Sequence, residues 1–129
     1  MEISIPVQNQ LDLFKKWLRF LNPILGLREE TELTVLASFI LFAYNYREYD
    51  PSVLNSLLFS EDTRNAIRNR LGLSERSFDK AFKSLLQKGL IEASGENETP
   101  SNINPRVIPK DFNITIKFSY ERANNNNGV

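Results

Sequence analysis

The chain has 129 residues, of which 41% are hydrophobic and 25% charged, and its basic and acidic residues balance to a net charge of zero. This composition is typical of one soluble globular domain with a modest core, and the overall charge does not by itself require a nucleic acid or an anionic membrane as partner. The absence of Cys and His excludes disulfide bonds, Cys/His zinc sites and nucleophile–His pairs.

The remaining chemically active residues form no recognisable active site. Acidic residues such as Glu29 and Glu32 have no discernible catalytic partner in the sequence, so we expect no enzymatic activity, no cofactor and no metal. The most apolar stretch, residues 33 to 44, is far shorter than the roughly 20 residues that span a bilayer. The first four residues lack the basic start of a signal peptide. We therefore expect a soluble intracellular protein of the cytoplasm, with no membrane partner.

The first predicted elements are a strand and a helix. Apolar and polar residues alternate over residues 3 to 7, and Pro6 is expected to confine this short strand to a sheet edge. Asn9 is predicted to cap a helix over residues 10 to 21, which Pro23 would end because proline disfavours the helical conformation of the residue before it. The apolar stripe of this helix comprises Leu11, Phe14, Trp17, Leu18 and Leu21.

A second helix is predicted over residues 29 to 46. Its apolar residues cover most of its circumference, which is typical of a helix at the centre of a fold. Its first turn is acidic, and we interpret this as favourable charge at the positive end of the helix dipole. The acidic residues are Glu29, Glu30 and Glu32. A third, short helix is predicted to follow, with Asp50 as its cap and Pro51 at its first position.

Two further helices follow in close succession. Ser60 is predicted to cap a helix over residues 61 to 71, which Gly72 ends. Ser74 is predicted to cap the next helix, over residues 75 to 88. A short helix pair joined by such a turn is typical of a helix-turn-helix motif.

The C-terminal third changes to a strand pattern. A strand is predicted over residues 90 to 93, a polar loop over residues 94 to 102, and an irregular returning strand over residues 103 to 108. Apolar and polar residues then alternate over residues 114 to 120, which predicts a half-buried strand. The Asn-rich tail, residues 121 to 129, is expected to be disordered.

The segment TRNAIRNRLGLSERSFDKAFKSLLQKGLI, followed by predicted strands, resembles the winged-helix DNA-binding domains of bacterial and phage regulators and replication initiators. The resemblance covers roughly residues 60 to 118. It implies an α+β, mainly α fold: one winged-helix domain over residues 1 to 120, with a short N-terminal edge strand. The helix-turn-helix would occupy about residues 60 to 88 and a C-terminal β-hairpin wing about residues 90 to 118.

One face of the second helix of the motif is basic. At about 100° per residue, its apolar stripe comprises Phe78, Ala81, Phe82 and Leu85. The residues that fall together on the opposite face are Arg76, Lys80, Lys83 and Gln87. Such side chains are suited to phosphates and to base edges in the major groove, and residues in the N-terminal half of the helix, which include Ser77, commonly reach the bases. A solvated surface satisfies the same pattern.

The charges are unevenly distributed along the neutral chain. Residues 61 to 90 hold seven basic and four acidic residues, a net charge of +3, whereas residues 1 to 60 carry −2 and residues 91 to 129 carry −1. The basic third therefore coincides with the predicted helix-turn-helix.

Further candidate DNA contacts lie outside the basic face. Arg64 and Arg68, on the first helix of the motif, either contact phosphates or lie on its solvated side. In the wing, Arg106 and Lys110 are the candidates, with Lys117 behind them. The loop residues Glu96 and Glu98 are unfavourable for phosphates, and residues 102 to 109 are equally consistent with a structural bulge.

Two functions are compatible with these patterns. The first is a DNA-binding protein, a small transcriptional regulator of phage or mobile-element type that reads double-stranded DNA. One copy offers about five phosphate contacts, fewer than the six to ten of typical binding, so we expect a homodimer or larger assembly built on the first two helices. The second is a non-enzymatic winged-helix protein-interaction module, such as a phage virion component or a replication-complex adaptor. The features that favour this second function are the zero net charge, the acidic loop, the many aromatic residues and the polar tail.

Overall fold

The computed structural model describes residues 5–7, 9–95, 99–109 and 118–120 of the chain. These residues form strand β1 (Ile5–Val7), helices α1 (Gln10–Leu25), α2 (Glu30–Asn45), α3 (Pro51–Leu58), α4 (Glu61–Arg70) and α5 (Glu75–Gln87), strands β2 (Ile91–Ser94) and β3 (Thr99–Ile103), a 3₁₀ turn (Pro105–Val107) and strand β4 (Phe118–Tyr120). The described fold is therefore mainly helical with a small antiparallel hairpin, which confirms the expected α+β, mainly α class. The predicted disordered tail lies outside the described residues.

Helix α2 lies at the centre of the molecule, as its apolar circumference predicted. It packs against α1 and α5, and also contacts α3 and α4. Its fully buried residues are Val35, Leu36, Ala37, Phe39 and Ile40. Because its apolar side chains point in all directions, α2 can hold the surrounding helices in a single core.

Helix α1 begins at its predicted cap but does not end where the sequence indicated. The Asn9 side chain accepts a hydrogen bond from a backbone N–H of the first turn, whereas the predicted end at Pro23 is wrong because the helix continues to Leu25. Pro23 lies inside the last turn, where it donates no backbone hydrogen bond to the residue four positions before it. The turn is closed by Gly26, which has a left-handed φ of 70° and donates its N–H to the Asn22 carbonyl at 2.9 Å.

Helices α3, α4 and α5 begin at the capping residues that the sequence predicted. Asp50, Ser60 and Ser74 each accept a hydrogen bond from a backbone N–H of the following first turn. Between α4 and α5, Gly72 adopts a φ of 68°, a conformation that glycine reaches without the Cβ penalty. Local capping chemistry thus separates these helices and leaves only a short turn between α4 and α5.

The hairpin that follows α5 differs from the prediction in its second strand. The return strand is β3, so the predicted loop over residues 94 to 102 is too long and the predicted strand over residues 103 to 108 is wrong. Strand β3 is polar, and its pairing with β2 includes a hydrogen bond from Asn102 Nδ2 to Glu92 Oε1 at 2.6 Å. A register shift after Glu92 brings Pro100 opposite Ala93. A polar, irregular strand of this kind lacks the apolar alternation by which strands are predicted.

The 3₁₀ turn after β3 attaches the hairpin to the helical core. Val107 is fully buried, and its carbonyl accepts a hydrogen bond from Trp17 Nε1 on α1 at 2.8 Å. Asn104 Nδ2 also donates to the Gly89 carbonyl at 2.9 Å. The segment after β3 is therefore held in two places, against α1 through Trp17 and against the end of α5 through Gly89.

The first and last strands pair with each other rather than with the hairpin. Strands β1 and β4 are parallel, with Ile5 opposite Phe118. The strands predicted near both chain ends are thus confirmed over their described residues, and residues 3–4 and 114–117 lie outside these. Of the predicted wing, about residues 90 to 118, residues 110–117 lie outside the described part of the chain. Strand β4 belongs to a sheet separate from the β2–β3 hairpin.

Candidate nucleic-acid interface

Helix α5 is fixed in rotation by a row of buried side chains. Phe78, Ala81, Phe82 and Leu85 are all buried. The rings of Phe78 and Phe82 stack with their centroids 5.9 Å apart, and Phe39 of α2 lies 5.6 Å from Phe82. A helix anchored through this stripe must present its opposite side to solvent.

The basic residues of α5 lie on that outer side. Arg76, Lys80, Lys83 and Gln87 are all exposed, and so is Ser77. The helical-wheel prediction of their common placement is therefore confirmed, whereas their role in binding DNA stays a prediction. Ser77 also takes part in the cap of α5, because its backbone N–H donates to Ser74 Oγ at 3.1 Å.

The acidic residue directly before α2, Glu29, lies near this face. Lys80 Nζ is 3.9 Å from Glu29 Oε1, and the two side chains are 77% and 56% exposed. Such an exposed pair is screened by water and salt and contributes about 1 kcal/mol or less. Lys80 therefore remains available to an incoming anion.

Lys88 lies apart from the basic face, in contact with a buried carboxylate. Lys88 Nζ donates to Glu32 Oε1 at 2.9 Å, and the Ser84 hydroxyl donates to Glu32 Oε2. Glu32 is only 6% exposed. Burial raises the pKa of this carboxyl, but the hydrogen bonds from Ser84 and Lys88, together with the lysine charge, lower the pKa below its ordinary value.

Sequence reasoning did not find this polar contact between α2 and α5. It treated Glu32 as one of three acids that interact with the helix dipole and assigned it no partner. The available signal was the pair Ser84 and Lys88, which are four residues apart and flank the apolar stripe of α5. One consequence is that part of the +3 charge of this segment is neutralised inside the fold.

Arg64 and Arg68 of α4 lie in the cleft between α4 and α5. Both side chains are half-buried, and within the described ranges their Nε atoms are buried without a hydrogen-bond partner. The Arg64 guanidinium carbon lies 5.9 Å from the Phe82 ring centroid, and Glu75 and Asp79 line the same cleft. The two arginines therefore lie between α4 and α5, beside acidic residues of both helices, rather than on the open solvated side of α4.

The remaining predicted contacts are only partly described. Arg106 is exposed in the 3₁₀ turn, where its backbone N–H donates to Asn104 Oδ1 at 3.0 Å. It shares a shallow depression with Lys88 and Glu92 near the C-terminal end of α5. Lys110, Lys117, Glu96 and Glu98 lie outside the described residues. The candidate interface is thus the face of α5, with the two arginines of α4 at its side.

Among the residues that the structure describes, no group of three or more acidic side chains is placed to hold a metal ion. Within the same ranges, each helix is too short or too polar to cross a membrane.

Comparison of the chain with protein-family models, with curated proteins and with solved structures gave no match. The functional interpretation therefore depends on the fold and on the surface chemistry of α5.

Proposed function

We propose that the protein binds double-stranded DNA as a winged-helix protein and inserts α5 into the major groove. The observation that carries the proposal is the joint exposure of the basic face of α5, opposite the stripe that anchors the helix to the core. Arginine, lysine and glutamine donate hydrogen bonds to phosphates and base edges. Within this proposal, a small transcriptional regulator of phage or mobile-element type is the role that the sequence resemblance favours.

The order of the elements supports the same proposal. Helices α4 and α5 are joined by the short turn around Gly72, and the β2–β3 hairpin begins two residues after Gly89. In winged-helix proteins the second helix of such a pair enters the groove and the hairpin lies beside the duplex. Arg106, Arg64 and Arg68 are then proposed as phosphate contacts, together with Lys110.

We propose further that more than one copy acts on the DNA, because one copy offers about five phosphate contacts. Helix α2 offers little apolar surface for such an assembly, since most of its apolar side chains are buried within the molecule. Helix α1 remains a suitable surface, because Phe20 is 49% and Ile24 79% exposed.

The proposal is tested by two double variants, each of which replaces two basic residues by glutamate and so changes the net charge by the same amount. We expect Arg76→Glu/Lys80→Glu to abolish retention of random duplex DNA at ~50 mM salt, where nonspecific electrostatic binding is strong. The matched control is Lys16→Glu/Arg47→Glu, which alters two cations outside α4 and α5 and should retain the DNA. Light scattering with and without duplex reports the number of copies. Equal retention by both double variants would disprove the groove-binding role of α5.

The alternative is a protein-interaction module on the same scaffold. The observation that favours it is the pairing of Lys80 with Glu29 and of Lys88 with Glu32, which reduces the positive charge that a duplex would meet. Exposed Tyr46, 41% accessible, is also suited to a protein interface. Failure of the wild-type protein to retain DNA at ~50 mM salt, together with a stable high-order oligomer, would favour this alternative.

A further inference from the structure

A surface cavity lies where α1, α2 and α4 meet, away from the basic face of α5. Its volume is about 160 Å³. The apolar residues on its wall include Leu11 of α1, Leu41 and Phe42 of α2, and Ile67 of α4. Leu41 and Ile67 are each only 7% exposed, so the cavity reaches the edge of the core while it remains open to solvent.

The size of the cavity fits one aromatic ring. An apolar protein cavity of about 150 Å³ holds a benzene molecule, and the volume here is similar. The aromatic ring of Phe42 and the branched side chains of Leu41 and Ile67 offer an incoming ring both stacking and aliphatic contacts. Burial of such a ring removes apolar surface of both ligand and protein from water.

The charge of the cavity selects the polar end of the ligand. Arg70, in the last turn of α4, also lines the cavity. In the part of the chain that the structure describes, no carboxylate lines the cavity and no acidic group lies within 4.0 Å of the Arg70 guanidinium. An exposed guanidinium without a partner beside an apolar wall is complementary to a carboxylate, which it can bind through two parallel hydrogen bonds.

We propose that this cavity binds a small single-ring aromatic carboxylate, with the ring against Leu41, Phe42 and Ile67 and the carboxylate on Arg70. The site uses the side of α4 that faces α1 and α2. Arg64 and Arg68 lie on the side that faces α5. The carboxylate site is therefore separate from the proposed DNA-binding face.

The test is an NMR titration of the 15N-labelled protein, without DNA, with benzoate and with its neutral analogue benzamide. We expect benzoate to shift the backbone amides of the cavity wall in a saturable manner. Arg70→Gln should weaken benzoate binding by about tenfold or more, because a hydrogen bond to a charged group is lost, and should leave benzamide binding unchanged. Arg47→Gln is the matched control, since Arg47 is an exposed arginine after α2 that does not line the cavity.

A second variant tests the position of the ring. Ala66 is exposed and lines the cavity from α4, so Ala66→Trp fills the space without replacing a buried side chain and should abolish binding of both compounds. The proposal is overturned if benzoate shifts no amide of the cavity wall at millimolar concentrations. It is also overturned if Arg70→Gln binds benzoate as tightly as the wild type. Because no DNA is present, neither result depends on the proposed DNA-binding function.

Discussion

Glu32 is a buried carboxylate that lies between α2 and α5. Its side chain on α2 receives hydrogen bonds from Ser84 on α5 and from Lys88, the residue directly after α5. A buried charge is tolerated only when its partners replace the lost water, and removal of one partner costs more than the pair contributes. Glu32 therefore fixes the position of α5 along α2, and with it the position of the basic face.

The lowered pKa of Glu32 makes the stability of the protein depend on pH. Burial raises this pKa and the hydrogen bonds from Ser84 and Lys88 lower it, with the net result below the ordinary value of 4.5. The folded state thus favours the ionised form. Its stabilising contribution is complete above the unfolded-state pKa and is lost as the pH falls through the folded-state pKa. We expect the free energy of unfolding, measured by urea denaturation from neutral to acidic pH, to fall more steeply for the wild type than for Glu32→Gln.

The matched control for this prediction is Glu30→Gln. Glu30 is exposed and pairs with Arg19 and Lys15 at the surface, so its loss should cost about 1 kcal/mol or less. Glu32→Gln should cost about 1–3 kcal/mol at neutral pH. The pKa of Asp50 is also lowered by hydrogen bonds from Ser52, but Asp50 is present in every variant. Parallel pH dependences of wild type and Glu32→Gln would contradict the ion-pair assignment.

The start of helix α5 is capped by the side chain of Ser74. Ser74 Oγ accepts the Ser77 N–H at 3.1 Å, which satisfies one of the free donors of the first turn. We expect Ser74→Ala to lower the free energy of unfolding by about 1 kcal/mol, and Ser74→Asp to retain most of the wild-type value, because aspartate is an equally good cap. Thermal and urea denaturation measure both variants. An alanine variant as stable as the wild type would show that the cap does not stabilise α5.

The capped helices show which elements a sequence can predict. Asn9, Asp50, Ser60 and Ser74 act on the turn that directly follows them, so a few neighbouring residues are sufficient to locate each helix start. The end predicted at Pro23 was wrong because other contacts hold the last turn of α1. These are the hydrogen bonds between the Asn22 side chain and the backbone of Leu27, which depend on the fold of the loop that follows the helix.

Strand pairing was less predictable, because it depends on residues far apart in the chain. The partner of β1 is β4, more than 110 residues later, and no local pattern indicates such a pairing. Strand β3 is polar, and it is held by hydrogen bonds to β2 and by the attachment of the 3₁₀ turn to Trp17. Periodicity predicts a strand from alternating apolar and polar residues, and the polar strand β3 does not have this pattern.

For binding DNA, the distribution of charge over the whole molecule matters more than its net charge of zero. The stripe of α5 was sufficient to predict which side chains point outward, because rotation about a helix follows directly from the spacing of its apolar residues. The sequence did not indicate which of the cations are already paired. Lys88 is held by Glu32, and Lys80 lies near Glu29. These contacts join α2 to α5 across 50 residues or more, so only the folded structure reveals them.

Lys83 and Lys88 lie on and directly after the same helix, yet we expect them to contribute differently to DNA binding. Lys83 is exposed on the basic face, whereas the Lys88 ammonium is 2.9 Å from Glu32. Each phosphate that a cation neutralises adds about 0.9 to the slope of log K against log salt. Lys83→Gln should reduce this slope by about 0.9. Lys88→Gln should leave the slope unchanged and instead lower the free energy of unfolding, because Glu32 loses a partner.

Fluorescence anisotropy of a labelled duplex over a salt series measures both slopes. Equal reductions for the two variants would mean that the whole basic segment attracts DNA, without a specific role for the outer face of α5.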